Sequence, residues 1–143
     1  MIQKIKMDDI GPTLKALRKM DKEFKVAAKD QAVKISETEA SRIKSAAHTR
    51  QQRLAAQTIN ARRGLTPSIV AGGSRRVTTS TGRSVKAGDV FFGAEFGSSR
   101  YPQFPAHRGR QGYFFWPTIR SDADRITDLW TVALDDLAKD WDN

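Results

Sequence analysis

Glu95 is the residue best placed to do acid–base chemistry. It lies among the aromatic residues Phe91, Phe92 and Phe96, and a carboxylate in apolar surroundings is a type of group that enzymes use as a general base. A general base also needs a partner that positions it, and no histidine or second acid stands beside Glu95 in a catalytic pattern. We therefore predict no catalytic residue, and expect Glu95 to pair with a nearby arginine or with backbone N–H groups.

The other patterns that could carry chemistry are incomplete. His48 and His107 lie far apart and the chain has no cysteine, so we predict no metal site and no cofactor. The run Gly82-Arg83-Ser84 resembles the end of a phosphate loop, but Val77 stands where the first glycine is required and arginine replaces the lysine. Gly97-Ser98-Ser99 lacks the second glycine of a nucleophile elbow.

Basic residues in the middle of the chain are candidates for nucleic-acid contact. Residues 64–112 carry six arginines and one lysine, and the planar guanidinium suits phosphate better than an ammonium does. Two interpretations stay open, a solvated basic surface and a sequence-independent contact with DNA phosphate. The DNA-facing candidates are Arg75, Arg76, Arg83, Arg108 and Arg110.

Nine of the twelve aromatic residues fall between Phe91 and Trp116. They could stack on single-stranded bases, or form a core together with a subunit interface. The second interpretation is favoured, because the consecutive aromatics at 113–116 cannot all face one core. The subunit-interface candidates are Phe96, Tyr101, Phe104, Phe114, Phe115 and Trp116, with Asp135 and Asp136 in the acidic last segment.

The elements that must position these residues are predicted from apolar spacing. Residues 12–63 contain no glycine and, after Pro12, no proline, and their apolar residues recur at helical spacing. One unbroken helix over that segment would be roughly 75–80 Å long. A compact domain of this length is only about 37–40 Å across. We therefore predict a break between about residues 36 and 49, or a helix that projects beyond the domain.

The remainder of the chain predicts an α+β fold in one domain, residues 1–143. Short β-prone runs separated by glycines over residues 64–96 indicate a small antiparallel β-meander, with a last strand at residues 89–92. Residues 97–112 lack periodicity and indicate a long loop. Residues 116–141 predict a closing helix, so that a long N-terminal helix and a C-terminal helix pack on the meander.

Charge is unevenly distributed along the 143 residues, whose net charge is +9. Residues 12–63 carry thirteen Lys/Arg against five Asp/Glu, and residues 64–112 carry seven Lys/Arg against two Asp/Glu. Residues 113–143, by contrast, carry three Lys/Arg against seven Asp/Glu. A basic body with an acidic last segment indicates a polyanion or a neighbouring copy as partner. With no stretch of membrane-span length and no signal-like N-terminus, we expect a soluble protein without a membrane partner.

Two short motifs and the order of the elements resemble the tail-component family of long-tailed double-stranded DNA bacteriophages. Glu95-Phe96-Gly97 resembles the Glu-x-Gly with which that family ends a strand, and the run from Phe114 to Thr118 resembles its aromatic-Pro start to the last helix. The family's Pro-x-x-Thr-Gly-x-Leu signal before the meander has only a loose counterpart in the run from Gly64 to Ile69.

The resemblance implies a structural virion protein at the head–tail junction, made in the host cytoplasm and without enzymatic activity. It would be a ring subunit for tail completion, tail termination or neck assembly, in contact with neighbouring tail and neck proteins and with double-stranded DNA in the lumen. The alternative that the basic residues leave open is a free, sequence-independent DNA-binding protein.

Overall fold

The described residues form helices and two small antiparallel sheets, and this confirms the predicted α+β class. The computed structural model describes residues 2–5, 22–79 and 81–142. The elements within them are β1 (Ile2–Ile5), α1 (Lys22–Ser45), α2 (Arg50–Ala56), β2 (Asn60–Ala61), β3 (Ile69–Gly72), β4 (Arg76–Thr78), β5 (Ser84–Lys86), α3 (Ala87–Phe96) and α4 (Phe115–Asp142), with a 3₁₀ turn at Gly109–Gln111. The predicted loop and closing helix are both present.

The two sheets are formed by separate parts of the chain. In the first sheet β3 lies between β1 and β2 and is antiparallel to both, with Ile5 opposite Ile69 and Asn60 opposite Val70. The second sheet is the hairpin of β4 and β5, in which Val77 lies opposite Val85. The strands predicted at residues 68–71, 76–79 and 84–87 correspond to β3, β4 and β5 and are therefore distributed over both sheets.

The long helical segment is broken within the predicted range. Helix α1 ends at Ser45 and α2 begins at Arg50, and Thr49 lies at the new N-terminus. The Thr49 hydroxyl accepts from the Gln52 N–H at 3.0 Å while Gln52 Oε1 accepts from the Thr49 N–H at 3.2 Å, so that two otherwise unpaired donors are satisfied. The predicted extension of the helix to residue 63 is wrong, because α2 ends at Ala56 and a strand follows. The predicted start at Pro12 lies outside the described residues.

The strand predicted at residues 89–92 is wrong, since this segment belongs to helix α3. Ala87, Val90, Phe91 and Ala94 are all buried, and their spacing is that of one face of a helix. The β-propensity of Val-Phe-Phe is overridden because the helix buries this whole face at once. Gly97 ends α3 with a φ of +76°, a conformation that favours glycine.

The main core lies where α3 crosses the other elements. Phe91 is fully buried at its centre and makes edge-to-face contacts with Phe115 at 5.1 Å and Phe114 at 6.5 Å between ring centroids. Ile43 from α1, Leu54 from α2 and the inward face of β3 complete the cluster. This core holds the start of α4 against α3.

A second, smaller core joins α1 to the distal part of α4. Phe24, Ala28 and Ala32 lie four residues apart on α1 and pack against Trp130 and Leu134 of α4. All five side chains are buried. The two long helices are therefore in contact well beyond the main core.

A polar cluster lies between α1 and α4. Arg42 donates to both oxygens of Asp122, at 2.8 and 3.0 Å, and Arg125 donates to Glu39 Oε2 at 3.0 Å. Glu39 and Asp122 are buried, whereas both arginines are about half exposed. Burial, together with the neighbouring Asp122 carboxylate, raises the pKa of Glu39 to about 7. The hydrogen bond from Arg42 lowers the pKa of Asp122.

The raised pKa of Glu39 predicts that folding stability declines with pH. Between the ordinary carboxyl value of 4.5 and about 7, the folded chain holds a proton that the unfolded chain has lost, so the free energy of unfolding falls as pH rises. Glu39→Gln removes this titration. We expect wild type to lose roughly 2–3 kcal/mol relative to Glu39→Gln between pH 5 and pH 8, measured by urea unfolding at each pH.

Glu37→Gln is the matched control, because Glu37 is exposed on the same helix. The difference between wild type and Glu37→Gln should stay constant with pH. Parallel pH profiles for wild type and Glu39→Gln would contradict the raised pKa.

Candidate functional site

The Glu95 carboxylate, fully buried in the last turn of α3, accepts four backbone hydrogen bonds. Oε1 accepts from the N–H groups of Tyr113, Phe114 and Phe115 at 2.7, 2.8 and 3.1 Å, and Oε2 accepts from that of Trp116 at 2.6 Å. Glu95 therefore joins the end of α3 to the start of α4. The expected pairing of Glu95 with backbone N–H groups is confirmed, at a helix N-terminus.

The sequence at the start of α4 explains why one carboxylate can satisfy the unpaired N–H groups there. The first N–H groups of a helix have no partner within it and carry the positive end of its dipole. Pro117 has no N–H, and Glu95 accepts from the three residues before it. The negative charge thus meets the positive end of α4, which offsets its unfavourable position at the C-terminal end of α3.

Gly112 makes room for this carboxylate. Its φ is +76°, and a Cβ at this position would lie 2.6 Å from Glu95 Oε2. Any other residue at position 112 would therefore meet both backbone strain and a steric clash. The chain can approach the carboxylate only because a glycine precedes Tyr113.

Two of the predicted interface residues belong to the chain's own core. Phe114 and Phe115 are at most 1% exposed, so the prediction that they contact a neighbouring subunit is wrong. Consecutive side chains can both be buried here because the backbone turns into a helix at this point and Glu95 satisfies its N–H groups. Trp116 is half-buried, and its ring lies 5.3 Å from that of Phe115.

The other three aromatic interface candidates line an open groove of about 1230 Å³ between α2, α3, the β4–β5 hairpin and the loop at residues 97–104. Phe96 stacks on Phe92 at 6.0 Å between ring centroids. Phe104 lies on α3 at Gly93, where an added Cβ would be 2.5 Å from its ring. Tyr101 is 49% exposed at the edge. This feature is called the aromatic groove below.

The DNA-facing candidates are all exposed, but the structure does not gather them into one site. Arg83 lines the aromatic groove, together with Arg50 and Arg53 of α2. The other four candidates do not line the groove, and they are Arg75 and Arg76 at β4 and Arg108 and Arg110 at the 3₁₀ turn. Arg76 bonds Ser84 across the hairpin at 2.7 Å, and the Arg108 guanidinium lies 4.8 Å from the Tyr113 ring centroid.

The outer face of α4 carries the acidic interface candidates. Asp135 and Asp136 are exposed, as are Asp124, Asp128 and Asp140 on the same helix, and none of the five forms a salt bridge with a described residue. Two apolar side chains are exposed among them. Leu129 is 43% and Val132 58% exposed. This acidic surface with its two apolar side chains is called the outer face of α4 below.

Sequence reasoning missed the groove arginines of α2 and the exposed apolar pair of α4. Arg50 and Arg53 lie three residues apart after a Thr-x-x-Gln capping box, a local signal that could have shown where a new helix presents them. The stripe formed by Ile126, Trp130 and Leu134 could also have placed Val132 on the opposite side of the helix and Leu129 at the flank of the stripe.

Within residues 2–5, 22–79 and 81–142, no group of three or more histidine, aspartate or glutamate side chains could hold a metal ion. No helix in this part of the chain is long and apolar enough to cross a membrane. Comparisons of the chain with known protein families, with curated proteins and with solved structures find no match.

The Glu95 contacts predict a large loss of stability in Glu95→Gln. The amide keeps one acceptor oxygen, loses the second acceptor toward the N–H groups of α4, and removes the charge that the helix dipole favours. We expect the free energy of unfolding to fall by about 2–4 kcal/mol, because buried hydrogen bonds to charged groups are the strong ones. Guanidinium unfolding, followed by circular dichroism, measures this change.

Asp136→Asn is the control, since it also converts an acid into its amide but at an exposed site. It should change the free energy of unfolding by less than about 0.5 kcal/mol. Equal stability of Glu95→Gln and wild type would show that the carboxylate is not needed as an acceptor.

Proposed function

We propose that this chain is a non-enzymatic assembly subunit that associates with copies of itself into a ring. The observation that carries the proposal is the separation of unpaired opposite charges on one chain. The aspartates of the outer face of α4 are exposed, and so are all seven cations of residues 64–112. Neither set forms a salt bridge within the described part of the chain.

A head-to-tail contact between copies uses both the acidic and the basic surface of each chain. Each copy offers one surface and receives a different one, and the assembly closes into a ring where the rotation between copies permits. Complementary charges steer the encounter and fix its register, while most of the affinity comes from buried apolar side chains. Exposed ion pairs contribute only about 0–1 kcal/mol each.

The non-enzymatic part of the proposal is supported by the state of Glu95. Its two oxygens already accept four backbone N–H groups, so the carboxylate has a structural task. A fully buried carboxylate held in this way is a helix cap and a poor general base, since it is not within reach of a substrate.

The setting that we propose is the head–tail junction of a long-tailed bacteriophage, as a tail-completion, tail-terminator or neck subunit. The resemblance to the tail-component family supports it, since its two motifs lie together in the fold, although Glu95-Phe96-Gly97 ends helix α3 here whereas the Glu-x-Gly of that family ends a strand. Glu95 of the Glu-Phe-Gly motif accepts the N–H groups that open the aromatic-Pro helix. The partners would be neighbouring tail and neck proteins and the double-stranded DNA in the lumen.

The second candidate is a free, sequence-independent DNA-binding protein. The exposed cations of residues 64–112 favour it, because exposed positive charge suffices for sequence-independent phosphate contact, although these cations do not lie together in one site. It assigns no role to the acidic surface of α4, with its exposed Leu129 and Val132. A contact between copies uses both surfaces, and for this reason we place it first.

Sedimentation and native mass spectrometry of the purified chain test self-association. We expect species at whole-number multiples of the 16.0 kDa subunit, with a closed ring at the highest concentrations or on addition of tail-tube subunits. A protein that stays monomeric at every concentration, and also inside an assembled particle, would overturn the proposed function.

A DNA contact can be tested through Arg75 and Arg110, whose exposed side chains form no hydrogen bond or ion pair with described residues. We expect Arg75→Glu/Arg110→Glu to weaken binding of a 30-base-pair duplex about tenfold or more at low salt, equally for unrelated sequences. Fluorescence anisotropy over a salt series measures this effect and should give a shallower salt dependence than wild type.

Lys34→Glu/Lys44→Glu makes the same change in charge on α1, where both lysines are exposed. If this control weakened duplex binding as much as the arginine variant, net charge alone would explain the effect. The five arginine candidates would then have no special role in DNA contact.

A further inference from the structure

The aromatic groove has the size and chemistry of a protein docking site. Its volume of about 1230 Å³ exceeds the ~300–1,000 Å³ typical of small-molecule pockets. Phe92, Phe96 and Phe104 contribute apolar surface, and the groove is open along its length to solvent. A space of this size can accept the side chains from one face of a helix, whose full diameter is about 10–12 Å.

The charge of the groove specifies an acidic occupant. Arg50, Arg53 and Arg83 line it against a single acidic residue, Asp89. Arg53 donates to the His48 carbonyl at 2.6 Å, whereas Arg50 and Arg83 form no side-chain hydrogen bond or ion pair with a described residue. Two guanidinium groups are therefore available beside an apolar floor.

The outer face of α4 has the complementary chemistry. Leu129, Val132 and Asp136 follow one another at steps of three and four residues, so they lie along one ridge of the helix. Asp128 and Asp135, seven residues apart, form the neighbouring ridge. This surface presents two exposed aliphatic side chains between carboxylates, which matches a groove with an aromatic floor and arginines at its edge.

We propose that the aromatic groove of one copy receives the outer face of α4 from the next copy. This inference rests on the proposed self-assembly and names the two surfaces that carry it. The contact joins unlike surfaces, so an open assembly keeps a free groove at one end and a free helix at the other, until the ring closes. Leu129 and Val132 supply the buried apolar area, and the arginine–aspartate pairs select the orientation.

A single strand of nucleic acid is the other occupant that arginines and aromatic rings could accept. It accounts for the groove alone. A second copy of the chain accounts for the groove and for the exposed leucine and valine on an acidic helix, and the chain supplies both halves of the contact. The experiment below includes the nucleic acid as one of its outcomes.

Two half-defective variants test the contact. Arg50→Glu/Arg83→Glu disables the groove and leaves α4 intact, whereas Leu129→Ser/Val132→Ser disables α4 and leaves the groove intact. Each alone should weaken self-association by roughly a hundredfold or more. Mixed in equal amounts they should form a 1:1 heterodimer and nothing larger, because one intact groove and one intact helix remain. Native mass spectrometry distinguishes these species.

The controls change the same residue types at exposed sites on α1. They are Lys34→Glu/Lys44→Glu for the charge reversal and Val26→Ser for the loss of an exposed aliphatic side chain. Both should assemble as wild type does. Circular dichroism of all the variants confirms that the fold is retained.

The outcomes separate this inference from the proposed function. If wild type assembles and neither half-defective variant is impaired, the ring uses other surfaces and the groove–helix contact is wrong. If wild type never assembles, the proposed function itself fails. If Arg50→Glu/Arg83→Glu assembles normally but loses binding of a 30-nucleotide poly(dT), the groove is a nucleic-acid site and the contact between copies is overturned.

Discussion

A single buried carboxylate determines how the two halves of this chain meet. Glu95 stands at the end of α3 and accepts the N–H groups that open α4, so the start of the closing helix is held by hydrogen bonds to one side chain. Without an acceptor there, Phe114 and Phe115 could be buried only at the cost of unpaired N–H groups. The start of α4 and the burial of Phe114 and Phe115 depend on this contact, while the second core and the polar cluster with α1 hold the rest of the helix.

The parts of the fold that the sequence predicts correctly are those with a local physical cause. The break in the helical segment follows from its length, and the role of Glu95 as an acceptor follows from a lone acid among apolar residues. The sequence predicts a strand in place of helix α3 because Val90 and Phe91 favour strands, although Ala87 and Ala94 complete a helical stripe. The cluster that joins Glu39 to α4 links residues more than eighty positions apart, and no local pattern indicates it.

The residues of the candidate site also fall into those that a local sequence pattern indicates and those that only the tertiary fold brings together. Phe96, Tyr101 and Phe104 lie in the 97–112 loop or just before it. The lack of apolar periodicity in this loop already indicates that it lies at the surface. Arg50 reaches the same groove from a helix nearly fifty residues earlier in the chain, and only the tertiary fold places it there. The surfaces proposed for assembly are thus combinations of distant segments, whereas the individual residue types are evident in the sequence.

The loop at residues 97–112 is held by several contacts along its length, which leave a short tip between Ser98 and Pro105, where the Ser98 N–H donates to the Pro105 carbonyl at 2.8 Å. Gly97 ends α3, and the Arg108 N–H donates to the Phe96 carbonyl at 2.7 Å. After the loop, Glu95 accepts from the Tyr113 N–H. The entropy of closing such a loop grows only slowly with length, by about 0.6 kcal/mol for each doubling. The tip between Ser98 and Pro105 can therefore change in length at little cost to the core. Tyr101 lies in this tip, so the edge of the aromatic groove can vary while the packing around Glu95 stays the same.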